Sequence, residues 1–258
     1  MAKSDANPGS EIVFACRFAA ELVFFLRRKV RCRDVFCRDV RRRAFVKDHI
    51  ESFGVPHTEV GRILFNKTEV DFSFIPFCGG TLDVFAVVPP FNVLAESLLR
   101  PTPFEKIRFI ADLNVLRLGR YLLLIGFDVA LARDMDDTGI ARVAADEQRI
   151  VLTRDTRLLC RRNISFTRRI RASNPLEQLR EVIDFFGLSP EPGRFFSRCI
   201  HCNRSFVPVE KKRILHRLEP KTRIYFHDFL HCPDCGRIFW KGSHHDAVME
   251  RFRAFGIL

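Results

Sequence analysis

Two short apolar runs that each end at an aspartate constrain this chain more than any other feature. Ile107 to Ala111 leads into Asp112, and Ile150 to Thr153 leads into Arg154 and Asp155. Each run reads as a buried strand, so both acids fall where a strand stops. Between them lie a segment with a helical repeat (Leu113, Leu116, Leu118, Leu122, Leu123), then Gly126 and a short strand, Phe127 to Leu131. A third acidic site, Asp136-Asp137, precedes the helical pattern of Ile140, Val143 and Ala144. Strands alternating with helices predict an α/β domain with a parallel sheet, right-handed crossovers and ligands outside the carboxyl ends of the strands. The three acidic positions should therefore converge on one edge. Hard divalent cations such as magnesium or manganese take oxygen ligands, so the cluster predicts a metal site suited to phosphodiester hydrolysis.

The charge distribution agrees with an anionic partner. The 258-residue chain carries a net charge of +12, which favours nucleic acid over membrane. Residues 108–160 hold eight Arg against eight Asp and Glu, whereas residues 27–43 hold nine Lys and Arg against two Asp. A neutral, acid-bearing centre flanked by basic segments is what a metal-dependent nuclease requires, with carboxylates for the ion and cations for the phosphate backbone. The opening MAKSDANPGS has no apolar run of signal-peptide type and no stretch is long enough to span a bilayer, so the expectation is a soluble cytoplasmic protein without membrane contact. Nine Cys, four of them in CxxC pairs, favour metal binding by reduced thiolates over a disulfide framework.

Ahead of the acid-bearing centre, residues Ile12 to Arg17 read as a strand and Ala19 to Leu26 as a helix or a hairpin partner. The basic run from Arg27, with Val30, Val35, Phe36 and Val40, reads as partly strand. An amphipathic helix from Val46 to Phe53 stops at Gly54, and strands follow at Ile63 to Phe65, Glu69 to Phe72 and Thr81 to Val88. This order over residues 11–91 is a β-grasp pattern and resembles ubiquitin-like sulfur carriers. Those carriers end in a flexible Gly-Gly tail, whereas Pro89-Pro90 leads into more chain, so the expected role is docking to a protein partner or facing RNA.

Four prolines between Pro89 and Pro103 place a linker there, and the central domain is expected over residues 104–190. Within it, Asn163 to Ile170 reads as an edge strand carrying Arg168 and Arg169, with Arg171 just beyond. Asn174 reads as an N-cap, with Pro175 at the first helical position, Glu177 following and Gly187 closing the helix. Residues 194–258 contain CIHC and CPDC, with 29 residues between Cys202 and Cys232. Each CxxC points two sulfurs at one ion, so Cys199, Cys202, Cys232 and Cys235 predict a tetrahedral structural zinc site. The spacing exceeds the common ribbon range of about 15–20 residues, and an inserted basic hairpin, VEKKRILHRLEPKTRIYF, is expected to account for the excess.

Taken in order, RFIAD, LGRYL with IGFDV, DMDDTGI, RIVLTRD, NPLEQLREV, RCIHCN, CPDCGRIFW and KGSHH resemble the Mut-seven C-terminal ribonuclease family. The resemblance implies a PIN-like nuclease domain with a C-terminal zinc ribbon, preceded by a ubiquitin-like domain, and it implies hydrolysis of RNA. By position, Asp112 matches the first acid, Asp137 the acid three residues before an apolar helix position, and Asp155 the acid of the TRD motif. Leu116 and Leu122-Leu123 depart from the family, which tends to have a Gly-containing turn and an LR pair there.

Several roles stay open at this point. Asp112 and Asp155 are either metal ligands or caps; of Asp136 and Asp137, one caps the helix and the other faces the metal. Arg154 either holds the scissile phosphate or pairs with an acid across the sheet edge. Arg168, Arg169 and Arg171, together with Lys211, Lys212 and Arg213 of the ribbon, are candidates for an RNA-binding surface. Metal-dependent ribonuclease action at Asp112, Asp137 and Asp155 leads. A non-catalytic RNA-binding adaptor, built on the ribbon and the β-grasp domain, competes with it.

Overall fold

The structure, a computed structural model, describes residues 13–29, 36–39, 43–161 and 163–257. Ile12 and most of the basic run, including Val30, Val35 and Val40, lie outside the described residues. The chain divides into two compact units, the first comprising residues up to 88 together with 95–103, the second comprising 89–94 and 104–258.

The first unit is built on strands β1 (Val13–Phe18), β2 (Phe36–Asp39), β3 (Val60–Phe65), β4 (Thr68–Glu69) and β5 (Gly80–Ala86), with helix α1 (Val46–Ser52) between β2 and β3. The sheet order is β2-β1-β5-β3-β4, with β1 antiparallel to β2 and parallel to β5. A mixed sheet with its first and last long strands paired in the middle is the β-grasp arrangement. Phe14 and Cys16 of β1, Leu82 and Val84 of β5, and Val46 and Ile50 of α1 are buried. The period of two in the strands and of about four in the helix aims all six at one core. The segment Ala20–Phe25, expected as a helix or hairpin partner, is a 3-10 helix. Residues 69–72 contribute less strand than expected, because β4 ends at Glu69.

The proline-rich connection is not a free linker. Arg100 donates to the carbonyls of His57, Thr58 and Val60 at 3.4, 3.1 and 2.9 Å. Burial draws its pKa down to about 10, opposed by the nearby Glu59 carboxylate. In the second unit, Phe91 stacks on Phe166 with ring centres 5.1 Å apart.

The second unit carries strands β6 (Arg108–Ala111), β7 (Asp128–Leu131), β8 (Ile150–Thr153) and β9 (Thr167–Arg169), all parallel, in the order β7-β6-β8-β9. Helices α2 (Leu116–Leu124), α3 (Asp137–Asp146) and α4 (Pro175–Phe186) connect and cover them. Every residue of β8 is buried, as befits a strand covered on both faces. Alternation along β6 divides the core. Ile110 joins Ile140, Ala141, Ala144 and Val151, while Phe109 meets Phe127 and Phe186 at 6.0 and 5.7 Å. Helix α4 begins as expected, with the Asn174 side chain accepting from the Leu176 N–H at 2.9 Å and Pro175 in the first turn. It ends at Gly187 in the left-handed region, φ 59°, which glycine enters without a Cβ penalty. The edge strand, expected over residues 163–170, is confined to three residues.

The C-terminal part forms a small antiparallel sheet of β10 (Val207–Val209), β11 (Phe229–His231) and β12 (Ile238–Phe239). The expected basic hairpin is absent. Its residues form helices α5 (Lys211–Ile214) and α6 (Pro220–Tyr225) with a 3-10 turn between them. The reason is packing: Ile214 and Leu218, four residues apart, bury together against Phe229, a helical and not an alternating spacing. A further helix, α7 (Ser243–Ala254), buries Phe252 edge-on against Tyr121 of α2 at 5.7 Å.

The ribbon is fixed to β7 by a charged network. Arg149, 7% exposed, donates to Asp128 Oδ1 at 2.6 Å and to the Phe109 carbonyl at 3.1 Å. From the ribbon, Asn203 donates to the same Asp128 oxygen at 2.7 Å and accepts from the Val129 N–H at 3.2 Å. Burial pushes the Asp128 carboxyl up, but hydrogen bonds from Arg149 and Asn203 and the charges of Arg149 and Arg198 outweigh it and hold the pKa below the ordinary value. A depressed carboxyl stabilises the fold fully above its unfolded value of 3.8 and loses that contribution as pH falls further, through the depressed value. Asp128→Asn should therefore cost about 1–3 kcal/mol at neutral pH, as for a hydrogen bond to a charged group. The deficit should shrink on acidification through that window, measured by chemical denaturation at a series of pH values.

Packing at Gly119 of α2 yields a second expectation. A Cβ there would lie 2.7 Å from both Ala111 Cβ and Leu131 Cδ2. Leu131 can swing aside, but Ala111 Cβ moves only with strand β6. Helix propensity favours Ala over Gly by about 1 kcal/mol, whereas overpacking a core costs about 1–3 kcal/mol. Gly119→Ala should thus lower the thermal midpoint despite the better helix former.

Candidate functional site

Strands β6 and β8 are parallel neighbours, so their carboxyl ends deliver Asp112 and Asp155 to the same edge. The Asp112 N–H donates to the Leu152 carbonyl at 3.0 Å, which extends the ladder to the acid itself. Its carboxylate accepts three hydrogen bonds: from the Leu113 N–H at 2.6 Å, from the Thr153 hydroxyl at 2.6 Å and from the Asn114 amide at 2.5 Å. Thr153 Oγ1 in turn accepts from the Asp155 N–H at 2.9 Å. Asn114 Oδ1 accepts from the Arg154 N–H at 2.9 Å. One hydroxyl and one amide thus tie the two strand ends together.

Asp155 turns its own carboxylate toward the next loop, accepting from the Arg157 N–H at 2.8 Å and facing the Arg157 guanidinium at 3.6 Å. Asp136 is the N-cap of α3, accepting from the Gly139 N–H at 2.8 Å. Asp137 occupies the first turn and pairs with Arg161 at 3.6 Å. The structure therefore joins Asp112 and the Asp155 backbone through Thr153, and it leaves Asp137 on a separate ion pair. Asn114, Thr153 and Arg161 escaped the sequence reading. Asn114 and Thr153 flank the acids closely, but only strand pairing shows that they bond to each other's neighbours.

The arginines divide. Arg154 donates to the Ala172 carbonyl at 3.2 Å, which matches neither role considered for it. Arg168, expected to face RNA, is 8% exposed, with its guanidinium 3.8 Å from the centre of the Phe185 ring and 3.2 Å from Glu181. Short parallel strands are covered on both faces, so the Arg168 side chain is enclosed where an edge position suggested solvent. Arg171 is exposed, and its N–H donates to both oxygens of Glu181. Lys212 and Arg213 are exposed on α5, and Lys211 is partly so.

The four cysteines come together. Their ligand atoms all lie within 4.8 Å of one another, with Cys199 and Cys235 at 3.7 Å and Cys202 and Cys232 at 3.3 Å. A tetrahedral zinc with Zn–S of about 2.3 Å requires sulfurs about 3.8 Å apart, so the residues fit a zinc ion. Among the described residues this is the one group of three or more Cys, His, Asp and Glu side chains drawn closely enough together to hold a metal. Burial pushes the Cys199 and Cys202 thiols up. Burial acts on Cys232 too, but the N–H groups of Cys235 and Asp234 and the Cys202 thiol outweigh it and hold Cys232 down to about 7. His201, beside the first knuckle, is held below its usual range by burial and then by Arg237, Arg133 and Arg120.

A four-stranded parallel sheet with acids at its carboxyl edge, joined to a ribbon whose four clustered cysteines could hold a metal, defines an α/β domain with a zinc-ribbon-like appendage. The Mut7-C RNAse domain matches residues 107–252, and the Mut7-C ubiquitin domain matches residues 11–94. The chain belongs to the Mut7-C RNase domain family, with the ubiquitin-like domain at its N-terminal side. No curated protein and no solved structure matches it.

Because thiolate ligation supplies folding free energy in small zinc modules, on the order of 10 kcal/mol, Cys232→Ser should abolish stoichiometric zinc in elemental analysis. It should also open residues from about 197 onward to limited proteolysis while sparing the parallel sheet. Protein purified free of metal yet resistant over that region would contradict this.

Proposed function

We propose that the protein is a metal-dependent ribonuclease whose reaction centre is the carboxyl edge of the parallel sheet. The observation that carries this reading is Asp112, a strand-end carboxylate held by three donors and linked through Thr153 to the strand end that bears Asp155. The donor set is all oxygen, which suits magnesium or manganese. Asp112 and Asp155 would hold the ion, with Asp137 joining them once it leaves Arg161. The chemistry supplied by a bound ion is activation of water and neutralisation of charge on the attacked phosphate.

The chain's own residues do the rest. Thr153 and Asn114 hold the Asp112 carboxylate in one orientation, because three donors leave it little freedom. Arg157 and Arg161, each beside an acid, can exchange that partner for a substrate phosphate. Arg171 and the exposed cations of α5 supply sequence-independent attraction for the backbone. Buried Arg168 has no part in that surface and instead braces β9 against α4.

Asp112→Asn should reduce cleavage of single-stranded RNA in magnesium or manganese by at least about 100-fold, as for loss of a group central to charge stabilisation. Thermal stability should change much less than activity. Wild-type cleavage that persists undiminished in the variant would remove the site assignment, and wild-type protein inert toward RNA under all metals would favour the adaptor.

A further inference from the structure

The ribbon carries a groove that neither the zinc site nor the acid edge uses. It has a volume of about 290 Å³, and His201, Arg217, Glu219, Arg237, Phe239 and Trp240 line it. Trp240 is 39% exposed, while its other contacts, with Phe226 and Phe229 at 6.3 and 6.2 Å, anchor the ring in the ribbon core. Phe239 is likewise backed by Phe206, 4.4 Å away. Arg217 is pinned by donating to the Gly236 carbonyl at 2.7 Å. The groove is therefore a rigid aromatic floor with cations along its wall.

Charge is not balanced there. Arg237 lines the groove beside His201, and Asn203, two residues past His201, docks on Val129 of β7, the strand that leads on to Arg133. Arg133 follows β7, so it belongs to the same carboxyl edge as the acids and stands three residues before Asp136. Nε and Nη2 of Arg133 and Nε of Arg120 are buried and have no hydrogen-bond partner among the described residues. Unsatisfied buried donors on cations, beside a groove lined by further arginines, call for an anion with several acceptor oxygens. Water would satisfy the donors but would leave the charge unneutralised.

We infer that this groove and the Arg120/Arg133 cluster form a nucleotide subsite for single-stranded RNA, with a base on Trp240 and its phosphate between Arg237 and Arg133. The pairing of an aromatic face with cations is the physics of single-strand recognition: every base offers a π-face, whereas a duplex keeps its bases stacked inside. Glu219 on the rim can accept from a ribose hydroxyl or an exocyclic amine, which adds polar recognition to the stack. The subsite rests on the proposed action on RNA.

Trp240 is the single tryptophan in the chain, so its fluorescence reports the subsite directly. Full-length Asp112→Asn protein, with wild type in parallel, is titrated with a short single-stranded oligouridylate, uridine monophosphate, inorganic phosphate and duplex RNA. Saturable quenching by the single strand and by uridine monophosphate is expected, with neither duplex RNA nor inorganic phosphate reproducing it. Arg133→Gln and Arg237→Gln should each weaken binding about tenfold, as for loss of a charged hydrogen bond, with zinc content unchanged. Trp240→Phe, which keeps a ring in the ribbon core, should bind the same strand more weakly in a filter assay. No quenching by any RNA, equal quenching by duplex, or unaltered affinity in both arginine variants would overturn the subsite. The readout needs no cleavage, so quenching by protein that never cuts RNA would remove the nuclease reading and keep this one.

Discussion

The second unit depends first on the parallel register of β6 and β8, in which Ala111 lies opposite Leu152. Parallel strands end on the same side, so two segments about 40 residues apart in sequence deliver their acids to one edge. The register then sets Thr153 beside Asp112 at 2.6 Å, close enough for one hydroxyl to serve an acid on one strand and an N–H on the other. Antiparallel pairing of the same two runs would send the two acids to opposite edges. Gly119 belongs to the same constraint, because helix α2 approaches Ala111 more closely than any side chain at that position allows.

The ribbon is more than an appended zinc module. Asp128 receives Arg149 from the sheet side and Asn203 from the ribbon side on the same oxygen, so the module's position is set by a partly buried charge whose partners come from both parts. Asn203 adopts φ 66° there, a left-handed conformation that Asn tolerates better than most residues. Docking sets Asn203 on the Val129 N–H of β7, the strand that leads on to Arg133.

The net charge of +12 acquires meaning only through this placement. Arg149 and Arg168 are spent inside the fold, paired with Asp128 and Glu181. Arg120 and Arg133 keep unsatisfied donors at the junction of core and ribbon. A basic composition therefore overstates the surface open to an anion in one region and conceals a focused site in another.

Local signals in the sequence determined a good deal by themselves. The apolar runs marked β6 and β8, Asn174-Pro175 and Gly187 marked both ends of α4, and the two CxxC knuckles marked the thiolate cluster, because each rests on residues within a few positions of one another. Tertiary structure alone decided the rest. That Asp137 pairs with Arg161, which leaves the cap to Asp136, that Asn114 reaches the Arg154 N–H, and that Arg168 is enclosed by Phe185 depend on contacts between segments apart in sequence. The helical form of residues 211–225 likewise follows from burying Ile214 and Leu218 on Phe229, a partner supplied by a later strand. Periodicity reports which face of an element is apolar, but which surface covers that face, and which donor meets which acid, is settled only when the chain closes on itself.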